Sequence, residues 1–84
     1  MPDIVLTPPA QKDFNSLRKK NTPVFKRIIT KMKSLSDNPE AGKILVGQFK
    51  GVRSLRVGSH RILYEVIEAN IYIYSIKHRR DAYR

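Results

Sequence analysis

The chain has 84 residues and no cysteine, and 17 lysines and arginines against 7 acidic residues give a net charge of +10. This length indicates one domain over residues 1–84, and the lack of cysteine excludes disulfides and thiolate zinc sites and suits a reducing compartment. Because self-repulsion destabilises a compact basic fold, the charge indicates a polyanionic partner, with nucleic acid first and an acidic protein second.

The first half of the chain predicts a short strand and two helices. Asp3–Thr7 is the strand, and the N-terminus lacks a signal-peptide pattern, so we expect a cytoplasmic protein without a membrane span. Thr7-Pro8 begins a helix that runs to Lys20, and Thr22-Pro23 begins a second that ends at Asp37-Asn38-Pro39. The apolar residues at helical spacing are Ala10, Phe14 and Leu17, then Phe25, Ile28, Ile29, Met32 and Leu35. Lys26, Arg27, Lys31 and Lys33 lie mostly off this stripe, which favours a solvated outer face over an RNA-reading surface.

The second half changes to the period of strands. Residues 40–50 are expected to form a loop with a short edge strand at Ile44-Leu45-Val46. The three strands that follow are Gly51–Val57, His60–Ile67 and Ile71–Lys77, joined by turns at Gly58-Ser59 and Ala69-Asn70. The predicted fold is α+β, in the order β-α-α-β-β-β, with the two N-terminal helices packed on one face of a small antiparallel sheet.

These turns set the pairing of the strands. The first places Arg56 opposite Arg61, and the second places Arg61 opposite His78. Side chains alternate between faces, so the helices should cover a face made of Leu55, Val57, Ile62, Tyr64, Val66, Ile71 and Ile73. The other face then holds Ser54, Arg56, Arg61, Leu63, Glu65, Tyr72, Tyr74, Ile76 and His78. A row of Arg56, Arg61 and His78 would be destabilising unless an anion lies between the groups, which predicts a phosphate site, although solvated arginines remain the alternative.

The C-terminal run His78-Arg79-Arg80-Asp81-Ala82-Tyr83-Arg84 adds an imidazole, guanidiniums and a phenol. Cleavage of RNA without a metal needs a base, an acid and cations around the phosphate, and aromatic rings stack on unpaired bases. A generic basic patch is the alternative for this run. A metal site is disfavoured, because His60 and His78 are expected on opposite faces without a carboxylate cluster.

Residues 45–66, LVGQFKGVRSLRVGSHRILYEV, resemble the core of the RelE/ParE toxins, and residues 76–83, IKHRRDAY, resemble the last strand and tail of that family. The resemblance implies a toxin of a toxin–antitoxin system, and its RelE-like members cut mRNA in the ribosomal A site without a metal or other cofactor. By position, Arg61 matches the phosphate-binding arginine and Arg56 is its strand neighbour. Arg79 or His78 matches the basic group near the leaving oxygen, and Tyr83 matches the C-terminal aromatic residue.

The sequence departs from the best-known members at the general base. Their lysines before the hairpin correspond to Val52 and Ser54, so Lys50, which could reach in from the strand start, and His78 are the candidates. Arg53 and Arg80 join Arg56 and Lys50 as candidate RNA contacts, although Arg53 should point to the other face.

Two functions follow from the resemblance: a ribosome-dependent mRNA endonuclease, or a ParE-like inhibitor of DNA gyrase without nuclease activity. A plain RNA-binding module is the third alternative. The histidine, arginine and tyrosine of the tail favour the nuclease, and the missing lysines favour the inhibitor. The expected partners are a cognate acidic antitoxin, in a possible heterotetramer, and the ribosomal A site with its mRNA.

Overall fold

The computed structural model describes residues 3–45, 47 and 51–80. Two helices pack on one face of a five-stranded sheet, which confirms the α+β class and the predicted order of elements. The elements are β1 (Ile4–Leu6), α1 (Pro8–Lys20), α2 (Thr22–Asp37), β2 (Lys43–Ile44), β3 (Arg53–Val57), β4 (His60–Ile67) and β5 (Asn70–His78). Neither helix is both long and apolar enough to cross a membrane, as judged over the described residues.

Both helices begin at the predicted Thr-Pro steps, but the two starts are held differently. The Thr7 side chain makes no cap hydrogen bond, and its hydroxyl instead donates to the Ile73 carbonyl at 2.7 Å, which ties the start of α1 to β5. At the start of α2, the Asn21 side chain accepts a hydrogen bond from the Val24 amide at 3.4 Å. α2 ends at Asp37, as the following Asn38-Pro39 step predicts.

The sheet has the strand order β1-β5-β4-β3-β2. It is mixed, because β1 pairs parallel to β5 while the other pairs are antiparallel. The edge strand β2 covers Lys43–Ile44 rather than Ile44-Leu45-Val46, and Val46 lies outside the described residues.

The first hairpin has the predicted register, with Arg56 opposite Arg61 and the turn at Gly58-Ser59. The second hairpin does not. Ile67 pairs with Asn70, so the turn is Glu68-Ala69 and not Ala69-Asn70. The pairing also shifts by one residue between Leu63 and Tyr64, which leaves Tyr74 of β5 as the extra residue of a bulge.

The core lies between the helices and the sheet. Its buried residues are Ala10, Ile28, Met32 and Leu35 from the helices and Val57, Ile62, Tyr64, Ile71, Ile73 and Ile76 from the strands. The rings of Phe14 in α1 and Phe25 in α2 pack against each other, with centroids 4.7 Å apart. Most of this core was predicted, but Ile76 was expected on the outer face; the bulge moves it inward, where it pairs with Ile62.

Candidate functional site

Four cationic residues share the sheet face opposite the helices. Arg56, Arg61 and Lys77 lie side by side on β3, β4 and β5, because Arg61 pairs with both of the others. Lys43 of β2 pairs with Ser54 and so lies one step along the same face, since directly opposed residues of an antiparallel pair point to the same side. We call Lys43, Arg56, Arg61 and Lys77 the basic face.

The predicted row of Arg56, Arg61 and His78 is therefore wrong at its third member. Arg61 pairs with Lys77, and His78 pairs with His60. The cause is the bulge at Tyr74, because one inserted residue sends every later side chain to the opposite face. Beyond it, Ser75 and Lys77 replace Ile76 and His78 on the outer side.

The two histidines were expected on opposite faces, and the structure instead brings them together. The rings of His60 and His78 meet edge to face with centroids 5.5 Å apart. Burial lowers the pKa of His60 below its usual 6.5, and the positive charge of His78 lowers this pKa further. Nδ1 of His60 is buried without a hydrogen-bond partner among the described residues, and Nδ1 of His78 accepts the Arg80 amide at 3.4 Å. The neutral form of the His60 ring is thus favoured.

The centre of the outer face carries no charged side chain. Ser54, Leu63 and Ser75 form a row across β3, β4 and β5, next to the row of Arg56, Arg61 and Lys77. Ser54 and Leu63 are only 5% and 6% exposed, so the part of this row on β3 and β4 is covered, while the cations beside it are more exposed. Lys43 at the end of the row was not identified from the sequence, because the two-residue strand that carries it has no alternation to reveal its direction.

Two carboxylates lie near the basic face, and both accept hydrogen bonds from other residues. Asp13 of α1 accepts hydrogen bonds from the Lys77 ammonium at 2.6 Å and from the Ile76 amide at 3.0 Å. Glu65 accepts the Tyr74 hydroxyl at 2.6 Å, and this bond, with burial and the charge of Glu65, raises the pKa of Tyr74 to about 12. Asp13 therefore offsets the charge of Lys77, whereas Lys43, Arg56 and Arg61 have no ion pair with a described residue.

The two arginines of the row have no acidic partner among the described residues. Arg61 is half-buried, and no hydrogen bond or ion pair links its guanidinium to another described residue. Nε of Arg56 donates to the Gly58 carbonyl at 3.3 Å, while the rest of its guanidinium remains exposed. Guanidinium groups in this state are suited to hold a phosphate through paired N–H donors.

The remaining sequence candidates lie in different places. Arg53 is on the helix side, as its strand position predicts, where its guanidinium donates to the Gly42 carbonyl at 2.9 Å and holds the loop before β2. Arg79 and Arg80 follow β5 and are exposed, and the Arg79 amide donates to the Ser59 carbonyl at 2.7 Å beside the first turn. Lys50 and Tyr83 lie outside the described residues.

Solved structures of bacterial toxins share this fold. The YoeB/ParE toxin from Agrobacterium tumefaciens matches with a TM-score of 0.83 and 19% identity, covering 90% of this chain and 96% of that one. The toxin–antitoxin complex RelBE2 from Mycobacterium tuberculosis matches with a TM-score of 0.81 and 25% identity, covering 94% of this chain and 100% of that one. The heterotetrameric YoeB–YefM toxin–antitoxin complex from Staphylococcus aureus matches with a TM-score of 0.78 and 26% identity, covering 93% of this chain and 97% of that one. No curated protein matches the sequence.

The helix pair, the mixed sheet and these likenesses define a toxin of the RelE/ParE superfamily. The model of one family, described as the ParE toxin of the type II toxin–antitoxin system parDE, matches residues 4–83. The chain belongs to that family.

Proposed function

We propose that this toxin is a ribosome-dependent endoribonuclease that cuts mRNA without a metal ion and so inhibits translation in the cytoplasm. The observation that carries the proposal is the pair Arg56 and Arg61, directly opposite each other without an acidic partner among the described residues. Two like charges in this position are destabilising, and a phosphodiester between them would make the arrangement favourable. Single-stranded mRNA supplies such a group with its 2′-hydroxyl next to it.

Cleavage of RNA by its own 2′-hydroxyl requires stabilisation of negative charge and can proceed without a metal ion. The 2′-oxygen attacks phosphorus, the 5′-oxygen leaves, and the phosphoryl oxygens gain negative charge on the way to a 2′,3′-cyclic phosphate. We assign the stabilisation of that charge to Arg61 and Arg56, with Lys43 adding positive potential at the rim, whereas Asp13 offsets the charge of Lys77. Arg79 and Arg80, exposed after β5, would contact the scissile phosphate or the leaving oxygen.

Two groups that could act as the general base already contact other side chains. Glu65 is bound by Tyr74, and His78 contacts His60 on the helix side, so neither is free on the basic face. Lys50 and Tyr83 therefore stay candidates for proton transfer, and Tyr83 also for stacking on a base. His78 could act only on a strand that passes the end of β5.

A second function, inhibition of DNA gyrase without nuclease activity, is favoured by the family description, which is that of the ParE toxin. The lack of a free base on the described part of the basic face points the same way. In that function, the arginines would bind a protein or DNA surface and break no bond.

The partner that follows from family membership is an acidic antitoxin. The related YoeB of Staphylococcus aureus occurs in a heterotetramer with its antitoxin, and we propose a comparable complex here. Net charges of opposite sign would make its association fast and sensitive to salt.

The test uses ribosomes programmed with a defined mRNA, with EDTA present, and maps cuts by primer extension. We expect cuts at the A-site codon that are lost in Arg61→Ala and kept in Arg18→Ala, which removes an equally charged but distant side chain of α1. An intact mRNA, together with gyrase-linked DNA breaks in a parallel reaction, would instead establish the inhibitor.

A further inference from the structure

A groove with basic walls lies between α2 and the end of β3, and the basic residues of α2 were expected only as a solvated surface. The groove has a volume of about 540 Å³. Its lining residues are Lys26, Arg27, Thr30, Lys31, Arg56, Val57 and Gly58. We call it the α2 groove. Four of the seven residues are cationic and none is acidic, so its field favours an anion.

Two guanidiniums from different elements converge on the first turn. Nε of Arg56 donates to the Gly58 carbonyl at 3.3 Å. Nη1 of Arg27 lies 3.7 Å from the point where a Cβ on Gly58 would stand. Gly58 has a positive φ of 60°, which any other side chain would adopt at a cost. The glycine turn thus lets the Arg27 and Arg56 side chains both reach the same turn, where a phosphate could accept hydrogen bonds from each.

The α2 groove presents no exposed large hydrophobic side chain to a partner. Val57, its one large aliphatic residue, is only 4% exposed, and the exposed large hydrophobic residues, Val5, Ile44, Val66 and Ile67, all lie outside the lining. An amphipathic helix would therefore find no large hydrophobic side chain to pack against, whereas a phosphate backbone needs only cations and donors. The four cationic side chains of the lining, without an acidic one, favour nucleic acid over an acidic peptide.

Arg56 belongs both to the α2 groove and to the basic face. We propose that the α2 groove binds the phosphate backbone of a single-stranded RNA that continues from the basic face around the edge of β3. This inference rests on the proposed action on RNA and adds Arg27, Lys26 and Lys31 to the binding surface. The toxin would then bind RNA on two surfaces, the basic face and the α2 groove. Its affinity would depend on several phosphates of the strand in addition to the phosphate at the cleavage site.

The experiment measures binding without cleavage. A labelled oligouridylate with 2′-O-methyl groups lacks the attacking hydroxyl, so its binding can be followed by fluorescence anisotropy over a series of NaCl concentrations. For single strands, the slope of log affinity against log salt changes by about 0.7 for each phosphate contact. We expect Arg27→Ala to weaken binding several-fold at low salt and to reduce the slope by about 0.7, while the matched control Arg18→Ala keeps the wild-type slope.

Two further readouts make the result decisive. The amide resonance of Gly58 should shift on addition of the oligonucleotide in the wild type and not in Arg27→Ala. Equal slopes for Arg27→Ala and Arg18→Ala would overturn the inference. So would an oligoglutamate peptide that binds as tightly as the oligonucleotide with the same dependence on Arg27, because the groove would then be a site for an acidic protein. Since no bond is broken, a failed mRNA cleavage assay would leave these results intact.

Discussion

His60 and His78 pair across β4 and β5 and meet edge to face, 5.5 Å between ring centroids, on the helix side of the sheet. They are the two histidines of the chain, and the positive charge of His78 disfavours protonation of His60. Burial of the His60 ring lowers its pKa, and the charge of His78 lowers this pKa further.

We predict that stability falls as the pH drops below the ordinary pKa of histidine. The unfolded chain binds a proton at His60 near pH 6.5, and the folded chain binds it only at a lower pH. Between these two values the unfolded state holds more protons, so the free energy of unfolding decreases with falling pH and is greatest above 6.5. Urea unfolding from pH about 7.5 to about 5.5 measures the effect, in a range above the ordinary pKa values of carboxylates.

The matched variants are His60→Gln and His78→Gln. His60→Gln should flatten the pH dependence, and His78→Gln should reduce it in part by removing the nearby charge. An unchanged pH dependence in His60→Gln would show that this histidine does not titrate differently on folding.

The Tyr64 hydroxyl links the core to the loop before β2. It donates to the Pro39 carbonyl and accepts the Gly42 amide, both at 2.8 Å, from a side chain that is fully buried. We predict that Tyr64→Phe lowers the free energy of unfolding by about 1–3 kcal/mol, because two backbone groups lose their partner. Tyr72→Phe is the control, since the Tyr72 hydroxyl has no hydrogen bond to a described residue. Equal losses in chemical denaturation would contradict this role.

Most of the fold could be predicted from local patterns. The Thr-Pro steps and the helical spacing gave both helices their bounds, and Gly58-Ser59 gave the first hairpin its register, so the Arg56–Arg61 pair was found correctly. The predicted register of the second hairpin was wrong because its turn contains no glycine. Glu68 adopts the positive φ that glycine or asparagine more often adopts in a turn, so the sequence carries no signal for this turn.

The bulge had one signal in the sequence. Ile71 and Ile73 keep the two-residue step of a strand, and the next core residue, Ile76, comes three residues later. That step marks an inserted residue, and reading it would have put Lys77 on the basic face and His78 beside His60. Lys43 and the two bonds of Tyr64 had no comparable signal, because both depend on how the loop before β3 folds back onto the sheet.

The conformation of Glu68 leads to a stability prediction. Its φ of 57° lies in the left-handed region, which costs a residue with a Cβ roughly 1–2 kcal/mol. Glycine removes this cost but adds about 0.4–1 kcal/mol of unfolded-state entropy. We therefore expect Glu68→Gly to be more stable than Glu68→Ala by about 0.5–1 kcal/mol in thermal unfolding. The alanine variant controls for the lost carboxylate, and equal melting temperatures would refute the strain.

The opposition of Arg56 and Arg61 predicts a conflict between stability and binding. At low ionic strength, Arg56→Gln removes one of two like charges that face each other across β3 and β4, so we expect the protein to gain roughly 0.2–1 kcal/mol. Arg18→Gln removes the same charge from α1, away from that pair, and corrects for the general self-repulsion of a chain with net charge +10. At equal ionic strength, phosphate in place of chloride should stabilise the wild type more than Arg56→Gln, because two guanidiniums hold the anion better than one. The advantage of Arg56→Gln should then shrink or reverse. Equal gains in the two variants, unaffected by phosphate, would mean that the arginines splay apart into solvent and hold no anion between them.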